Sequence, residues 1–459
     1  MTAFKFPVFR VAALVFVVAL IVGNIYIPEV MGIISHWSAI AFGIIVVLGL
    51  ICFFCWPIQI RPSIRNKIYT AHPTGNIKDM DVAIDASGEI HLVWTAKDKR
   101  VYEGVYDVYY QAAPHIGAEW SEPERLGLGH KAYLQVTNDV LNVIALDKKR
   151  VAIYRSDKKE KSWRHIGSFL EDHYQQDHAL VFDEETGFLN LVLVYTLPNE
   201  GRSVFFTRSG DLGNSWTDLL LVAKGIPRIS GRYISCSASG DAITILWQDE
   251  GEPNGPVVGY SQKKGGEKIV HRRKEVVVKG MESNDGGQSW SEILPLVTNI
   301  WVGHISLVHA SEGLCMLAGT SPYPYKLLCW VYKKDGFEIK RSVGRFASGL
   351  SISEKGDLIA YITSKYHRRT PFEFVKDTAT KGLGKMHNDL MLVSLKGKGG
   401  RLITPRQTIA YGEHPTGRRL VIRKIGNTAY VFWNGRKNVT SRSLEEGEVP
   451  EIFYTSVKV

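Results

Sequence analysis

A repeating unit of short apolar strands runs from residue 68 to residue 459, and it restricts the possible folds more than any other feature of the chain. Each copy starts with a polar segment, continues with two apolar strands joined by a tight turn, and then adds a third strand and a turn closed by an aromatic residue. Units of about 40–50 residues with four short strands each are typical of a β-propeller blade. The sequence therefore predicts an all-β domain of seven four-stranded blades over residues 59–459. The first two strands of the seven copies occupy residues 81–94, 134–146, 179–195, 233–247, 305–319, 350–363 and 420–433.

Composition and charge narrow the class of protein further. The chain has 43 Gly residues and 11% aromatic residues, and no long amphipathic helical pattern follows residue 60, which agrees with an all-β domain. The formal net charge is +10, but Lys and Arg are spread along the chain and no nucleic-acid-binding motif occurs, so nucleic acid is not predicted as a partner. The five cysteines have neither metal-site nor disulfide spacing, and no cofactor motif is present. Neither a metal nor a cofactor is therefore predicted.

Two nonapeptides share the pattern Ser-x-Asp-x-Gly-x-Ser-Trp in the same register. They read RSGDLGNSW at 208–216 and ESNDGGQSW at 282–290, and both fall between the third and fourth strands of their units. Weaker versions occupy the same place in other units, as AAPHIGAEW at 112–120 and RSDKKEKSW at 155–163. A catalytic motif is needed once, whereas a structural turn can recur in every unit. The pattern therefore predicts architecture and not chemistry.

The residue types in the nonapeptides explain such a structural role. A short acidic side chain can accept backbone N–H bonds within a turn, and Gly supplies a backbone angle that other residues avoid. The closing Trp buries a large ring between strands and fixes the turn to its blade. The residues assigned to this role are Ser209, Asp211, Gly213, Trp216, Ser283, Asp285, Gly287 and Trp290.

These nonapeptides resemble the Asp boxes, also called BNR repeats, of sialidases and related glycan-active propellers. The resemblance covers about residues 60–459 and implies a propeller whose boxes lie away from the substrate. Sialidases have six blades, whereas this chain has seven units, so six blades are the alternative count.

The two ends of the repeat predict how the ring closes. The last unit ends at EIFYTSVKV, residues 451–459, which is a third strand without a fourth. SIRNKIYTAHPTG at 63–75 resembles PRQTIAYGEHPTG at 405–417, where a fourth strand leads into a new unit. We therefore predict that residues 63–69 complete the last blade, which would leave no exposed sheet edge.

Two apolar runs before the repeat predict a membrane anchor in residues 1–58, formed by a hairpin of two transmembrane helices. The runs at 11–27 and 38–56 are each about long enough to cross the ~30 Å hydrocarbon core, although a cleaved signal peptide is the alternative for the first. Lys and Arg flank both runs on the outside, while the connection at 28–37 has neither. The runs thus predict an integral membrane protein with the lipid bilayer as a partner. The positive-inside rule applied to the flanking charges predicts that the propeller lies on the cytoplasmic side.

Alignment of the units brings a set of polar residues to the start of the first strands, around the predicted channel mouth. This ring is predicted to bind a ligand, and the alternative is a polar, water-filled channel that needs none. Two long basic insertions, 249–275 and 364–389, are expected on the same face, where they favour an acidic glycan, an anionic lipid or a protein partner; disordered polar loops are the alternative. The ring residues are Asp79, His130, Asp177, Arg232, His304, Ser348 and Arg418.

The resemblance to sialidases also implies an arginine cluster for the substrate carboxylate, a Tyr nucleophile with a Glu partner, and an acid/base Asp. Arg232, Arg345 and Arg418 are the candidates for the cluster, Asp79 or Asp81 for the acid, and Tyr366 or Tyr323 for the phenol. The family's Phe/Tyr-Arg-Ile-Pro motif is absent and no Glu stands out as the partner. The sequence therefore favours a membrane-tethered binding module or interaction platform, with an exo-acting glycoside hydrolase of sialidase type as the alternative.

Overall fold

The described part of the chain contains seven four-stranded antiparallel sheets and one separate two-stranded hairpin. The count confirms the all-β prediction with seven blades and not six. All described residues belong to one compact unit, Gln59–Lys365 with Lys385–Val459. The computed structural model describes residues 69–71, 76–97, 106–137, 140–147, 150–158, 162–169, 175–183, 186–197, 201–226, 234–250, 257–262, 268–272, 276–298, 301–310, 313–321, 326–333, 336–345, 347–353, 356–365, 387–395, 401–402, 415–435 and 451–459.

The first four sheets are numbered in the order in which they occur along the chain. The strands of each sheet are named in the order in which they pair, starting with the first strand of the unit. Sheet 1 contains β2 (Asn76–Ile84), β3 (Ile90–Lys97), β4 (Asp107–Ala113) and β5 (Glu124–Leu128). Sheet 2 contains β6 (Lys131–Val136), β7 (Val140–Leu146), β8 (Val151–Asp157) and β9 (Trp163–Phe169). Sheet 3 contains β10 (Gln175–Phe182), β11 (Leu189–Leu197), β12 (Gly201–Ser209) and β13 (Leu220–Ile226). Sheet 4 contains β14 (Ile234–Ser239), β15 (Ala242–Glu250), β18 (Val276–Ser283) and β19 (Leu294–Thr298).

The remaining strands form three more sheets and one hairpin. The hairpin, β16 (Val257–Gln262) with β17 (Lys268–Arg272), lies in the first of the two predicted long insertions. Sheet 5 contains β20 (Trp301–Ala310), β21 (Gly313–Ser321), β22 (Lys326–Lys333) and β23 (Gly336–Arg345). Sheet 6 contains β24 (Ala347–Ile352), β25 (Leu358–Lys365), β26 (His387–Ser394) and β27 (Arg401–Leu402). Sheet 7 contains β28 (Pro415–Ile425), β29 (Thr428–Gly435), β30 (Glu451–Lys458) and β1 (Tyr69–Ala71).

The fourth strand of sheet 7 comes from the start of the described chain. Tyr69 pairs with Tyr454 and Ala71 pairs with Ile452, so the first described strand covers the edge of β30. Of the segment 63–69 to which the sequence assigned this pairing, only Tyr69 is among the described residues. Pairing between the two ends of the repeat removes a free edge that would otherwise be able to pair with other chains.

The apolar core is divided among the seven junctions between neighbouring sheets. Each of seven clusters of buried side chains contains residues of two adjacent sheets. The cluster between sheets 7 and 1 includes Phe432 and Tyr454 on one side and Leu92 and Trp94 on the other. Strands that alternate between two packed faces can bury apolar side chains against both neighbours, which is why the first two strands of each unit read as apolar runs.

The two nonapeptides form the same hydrogen-bonded turn. In the first, Ser209 Oγ accepts the Gly213 N–H at 2.8 Å, and Asp211 Oδ1 accepts the Ser215 N–H at 2.9 Å. The Trp216 indole N–H donates to the Gly213 carbonyl at 3.1 Å. The second turn repeats these three bonds at 2.8, 2.9 and 3.1 Å. The hydrogen bonds from Ser289 lower the pKa of Asp285 to about 2, so this carboxylate is charged and held within its turn at neutral pH.

The tryptophan that closes each turn packs on the third strand of the preceding sheet. The Trp290 ring lies 5.3 Å from that of Phe206, and Trp216 packs in the cluster that contains Ile153. The degenerate copies follow the same rule, because Trp163 lies 4.7 Å from Tyr110 and Trp120 lies 5.6 Å from Tyr454, measured between ring centroids. The Trp120 indole N–H also donates to the Tyr454 hydroxyl at 3.2 Å. The sequence led us to expect that these rings fix a turn to its own blade, whereas the structure shows that they join successive blades.

Gly287→Ala is expected to destabilise the fold more than Gly88→Ala, although the two glycines have nearly equal φ angles of 90° and 88°. A Cβ on Gly287 would approach Phe206 Cε1 to 2.2 Å, while a Cβ on Gly88 would meet nothing within 4 Å. We expect a loss of about 2–4 kcal/mol for Gly287→Ala and about 1 kcal/mol for Gly88→Ala in urea unfolding of the full-length protein in detergent. Equal losses would show that backbone strain alone sets the cost and that the contact with Phe206 does not matter.

No helix among the described residues is long and apolar enough to span a membrane. The predicted spans at 11–27 and 38–56 lie outside the described part of the chain.

Candidate functional site

Three of the predicted mouth residues occupy equivalent places on the first strands of their sheets, called the inner strands below. The register of the inner strand shifts between Ile77 and Asp79 in β2, between Gln175 and Asp177 in β10, and between Val302 and His304 in β20. Asp79, Asp177 and His304 therefore each follow a β-bulge near the start of a first strand. Bulges commonly redirect side chains beside functional sites, although they also adjust the twist of a sheet.

The mouth residues with described side chains take part in local structure. Asp79 and Asp177 are buried, and Asp177 Oδ2 accepts the Ile234 N–H of the next sheet at 3.4 Å. His130 precedes β6, where its Nε2 atom lies 3.6 Å from Asp147 Oδ1 and its ring lies 4.7 Å from that of Tyr106. These contacts hold the start of the inner strands in place, so the residues have structural roles whatever else they do.

The rest of the predicted catalytic set is not described at the level of side chains. Arg232, Tyr323 and Tyr366 lie outside the described residues. The backbones of His304, Arg345, Ser348 and Arg418 lie in β20, β23, β24 and β28, but their side chains are outside the description. The arginine cluster and its phenol therefore stay predictions from the sequence.

A cavity of about 650 Å³ lies along the later halves of the inner strands. Its wall includes residues from the first strands of all seven sheets, which identifies it as part of the central channel. It begins two residues beyond the predicted mouth position Asp79 and extends towards the turns that follow the inner strands. Its principal polar groups are Asp81, Gln135, Asp183, Ser237, His309 and Arg423.

An ion pair in the channel wall joins the last sheet to the first. Arg423 Nη2 lies 2.5 Å from Asp81 Oδ1, and Arg423 Nε donates to the Val82 carbonyl at 2.5 Å. Asp81 Oδ2 also accepts the Leu134 N–H of sheet 2 at 3.0 Å. The carboxylate thus bridges three consecutive sheets, and both charges are already engaged within the protein.

Two other polar side chains of the channel have atoms without a hydrogen-bond partner among the described residues. Gln135 is 7% exposed, and both atoms of its amide lack a partner. His309 Nε2 is buried and also lacks one. Burial lowers the pKa of His309, with Asp183 opposing the effect, so the ring is neutral at pH 7 and can either donate or accept a hydrogen bond. Buried polar atoms of this kind normally find a protein, water or ligand partner.

Cys236 and Lys424 also line the cavity, and neither is activated as a nucleophile. Burial raises the pKa of the Cys236 thiol to about 12, so this residue is a neutral thiol at pH 7. Lys424 bonds to Asp357, whose other oxygen accepts from the Ser353 hydroxyl at 2.8 Å. The described wall therefore offers hydrogen-bonding groups, and two of its charged residues, Arg423 and Lys424, are paired with carboxylates.

Gln135 and His309 were not identified from the sequence. Alternation along the inner strands could have assigned them to the channel side, but the sequence gives no indication of how deep along the channel a cavity lies. The mouth residues were chosen at the strand starts, whereas the described cavity begins further along the same strands.

Comparisons with known proteins identify related folds only. No protein-family model matches the chain, and no curated protein matches it. Solved structures that match include an ulvan lyase of polysaccharide lyase family PL25, with a TM-score of 0.48, 11% identity, and coverage of 80% of this chain and 92% of that one. The phage phi92 endosialidase matches with a TM-score of 0.44, 9% identity, and coverage of 86% and 69%. The Penicillium chrysogenum α-L-arabinanase matches with a TM-score of 0.39, 12% identity, and coverage of 87% and 99%. The names of these neighbours describe enzymes that act on glycans, but similarities this low do not transfer an activity to this chain.

Proposed function

We propose that this protein is a membrane-anchored β-propeller that binds an anionic or glycan-type ligand in its central channel. The observation that carries the proposal is the cavity of about 650 Å³ lined by Gln135 and His309, whose buried amide atoms and Nε2 atom have no hydrogen-bond partner among the described residues. The volume lies within the range of about 300–1,000 Å³ that is usual for small-molecule sites.

The chemistry of the wall suits a ligand with several hydroxyl groups. An amide offers donors and an acceptor together, and a neutral imidazole offers one of each, so both can pair with hydroxyls. Tyr133 and Ser237 also line the cavity and add an aromatic surface and a further hydroxyl. The net charge of +10 favours ligands that also carry a carboxylate or sulfate.

Binding without hydrolysis agrees best with the described wall. Arg423 is already paired with Asp81, and Asp81 accepts bonds from two further backbone N–H groups, so neither resembles a group held ready for substrate chemistry. Release of a sugar product would favour the exo-acting glycosidase instead.

Gln135→Leu is expected to weaken binding of a carboxylate-bearing trisaccharide about 5- to 10-fold, since one lost hydrogen bond costs about 1 kcal/mol. Sialyllactose is the probe and lactose the neutral comparison, with isothermal titration calorimetry on the full-length protein in detergent. Gln111→Leu is the matched control, because Gln111 is similarly buried at 4% exposure but is bonded to the Ser121 carbonyl outside the cavity.

Two outcomes would contradict the binding proposal. The wild-type protein could bind neither sugar at millimolar concentration, or the two glutamine variants could lose affinity equally. Free sialic acid in the mixture would instead replace the binding role with a hydrolytic one.

The membrane anchor rests on the sequence alone and has a separate test. The runs at 11–27 and 38–56, with Lys and Arg on their outer flanks, support a hairpin that leaves the propeller on the cytoplasmic side. Reporter fusions at residue 459 would test the orientation, and activity of an external reporter would contradict the cytoplasmic prediction. Release of the protein from washed membranes by salt alone would contradict the predicted anchor.

A further inference from the structure

The turn between β2 and β3 gathers metal-ligating atoms outside the channel cavity. Asp85, Glu89 and His91 each offer one ligand atom, and these atoms all lie within 4.8 Å of one another. Asp85 and His91 are buried, and Glu89 is half-buried. One nitrogen and two carboxylates in so small a volume form a possible three-residue ligand set.

The Asp85 carboxylate is fixed in orientation by its own turn. Its Oδ1 atom accepts the Ser87 N–H at 2.9 Å, the Ser87 hydroxyl at 2.6 Å and the Glu89 N–H at 2.9 Å. These bonds leave Oδ2 pointing at the interior of the cluster, where a second group is needed to balance its charge.

His91 is oriented for ligation by a bond on its far side. It is 1% exposed, and its Nδ1 atom lies 2.8 Å from the Tyr110 hydroxyl. Its Nε2 atom lies 3.8 Å from Asp85 Oδ2 and makes no hydrogen bond with any described residue. When Nδ1 donates its proton to Tyr110, Nε2 presents its lone pair to the cluster, which is how metal-binding histidines are commonly held.

Lys158 of the next sheet supplies the positive charge that the cluster holds in this structure. Its Nζ atom lies 3.0 Å from Asp85 Oδ2, and its side chain is 19% exposed. A lysine is long enough to withdraw into solvent, so its ammonium group can give way to another cation.

We propose that Asp85, Glu89 and His91 bind a divalent transition-metal ion of the zinc class, in competition with the Lys158 ammonium group. A mixed nitrogen and carboxylate set suits Zn²⁺ better than Mg²⁺ or Ca²⁺, which prefer oxygen ligands alone. The site is independent of the channel ligand, so either proposal can fail without the other.

Lys158→Met is the sharpest test, because it removes the competitor without removing a ligand. With ZnCl₂ titrated into the full-length protein in detergent, we expect one ion per chain and affinity at least about 10-fold tighter in Lys158→Met than in the wild type. Glu89→Gln should weaken binding at least about 10-fold in the Lys158→Met background. Zn²⁺ should also raise the Tm of Lys158→Met more than that of the wild type.

Lys279→Met is the matched control. Lys279 Nζ lies 2.5 Å from the buried Asp249 carboxylate, so this variant also leaves a buried Asp without its lysine, but at a place where the described residues form no comparable ligand cluster. Its Zn²⁺ affinity should equal that of the wild type. The inference is overturned if Lys158→Met binds no stoichiometric Zn²⁺ up to millimolar concentration, if Lys279→Met tightens binding equally, or if Glu89→Gln has no effect.

Discussion

Ala71→Asp should cost about 3–5 kcal/mol of stability or prevent folding altogether, because it places an unpaired carboxylate in an apolar junction. Ala71 is fully buried in the cluster that joins sheets 7 and 1, and it lies on the short strand that covers the edge of β30. The measurement is urea or thermal unfolding of the full-length protein in detergent, followed by circular dichroism.

Thr70→Asp is the control for that experiment. Thr70 is the neighbouring residue of the same strand, pairs with Phe453, and is only half-buried, so its side chain points to the other face of the sheet. We expect a loss below about 1 kcal/mol. Comparable losses in both variants would mean that the strand tolerates no charge on either face, and an unchanged Ala71→Asp would mean that the junction does not contribute to stability.

Asp81→Leu is the second substitution with a large expected effect. It would remove the carboxylate that pairs with Arg423 in the channel wall and the acceptor of the Leu134 N–H, since Asp81 serves both. Breaking one side of a buried ion pair costs about 3–5 kcal/mol, and the 15–20% exposure of this pair reduces the expectation to about 2–4 kcal/mol.

An exposed ion pair and a double variant complete that test. Arg125→Leu breaks the pair with Asp107, whose arginine side chain is 58% exposed, and should cost less than about 1 kcal/mol. Asp81→Leu combined with Arg423→Leu should recover part of the stability lost in Asp81→Leu, because the guanidinium that lost its carboxylate partner is then removed. If the double variant is no more stable than Asp81→Leu, the backbone bonds of Asp81 account for the cost and the ion pair does not.

The blades could be predicted from the repeat, whereas the contacts between repeats could not. Apolar alternation in each unit correctly located the first two strands of all seven sheets, since each strand must bury side chains against its neighbours. The pattern of the nonapeptides also predicted their turns. It did not indicate that Trp216 or Trp290 packs on the preceding sheet, because periodicity within a chain does not specify which neighbour a side chain meets.

The channel and the cation cluster show a similar limit. Gln135 belongs to sheet 2 and His309 to sheet 5, and only the closed ring brings them to one cavity. Asp85, Glu89 and His91 span a turn with a spacing that matches no familiar metal motif, and Lys158 comes from another unit. Groups that converge through ring geometry leave little local pattern in the sequence.

The backward packing of the closing tryptophans gives the ring a direction of assembly. During synthesis, the strand that receives each closing tryptophan is translated before the tryptophan itself in three of these turns. These are the turns closed by Trp163, Trp216 and Trp290. Trp120 differs from these three tryptophans, since its partner Tyr454 follows it by 334 residues in the chain. Chains in which β30 has not yet been made would therefore lack the contact that docks the turn of Trp120 onto sheet 7, so the first blade can complete its packing only after β30 is present.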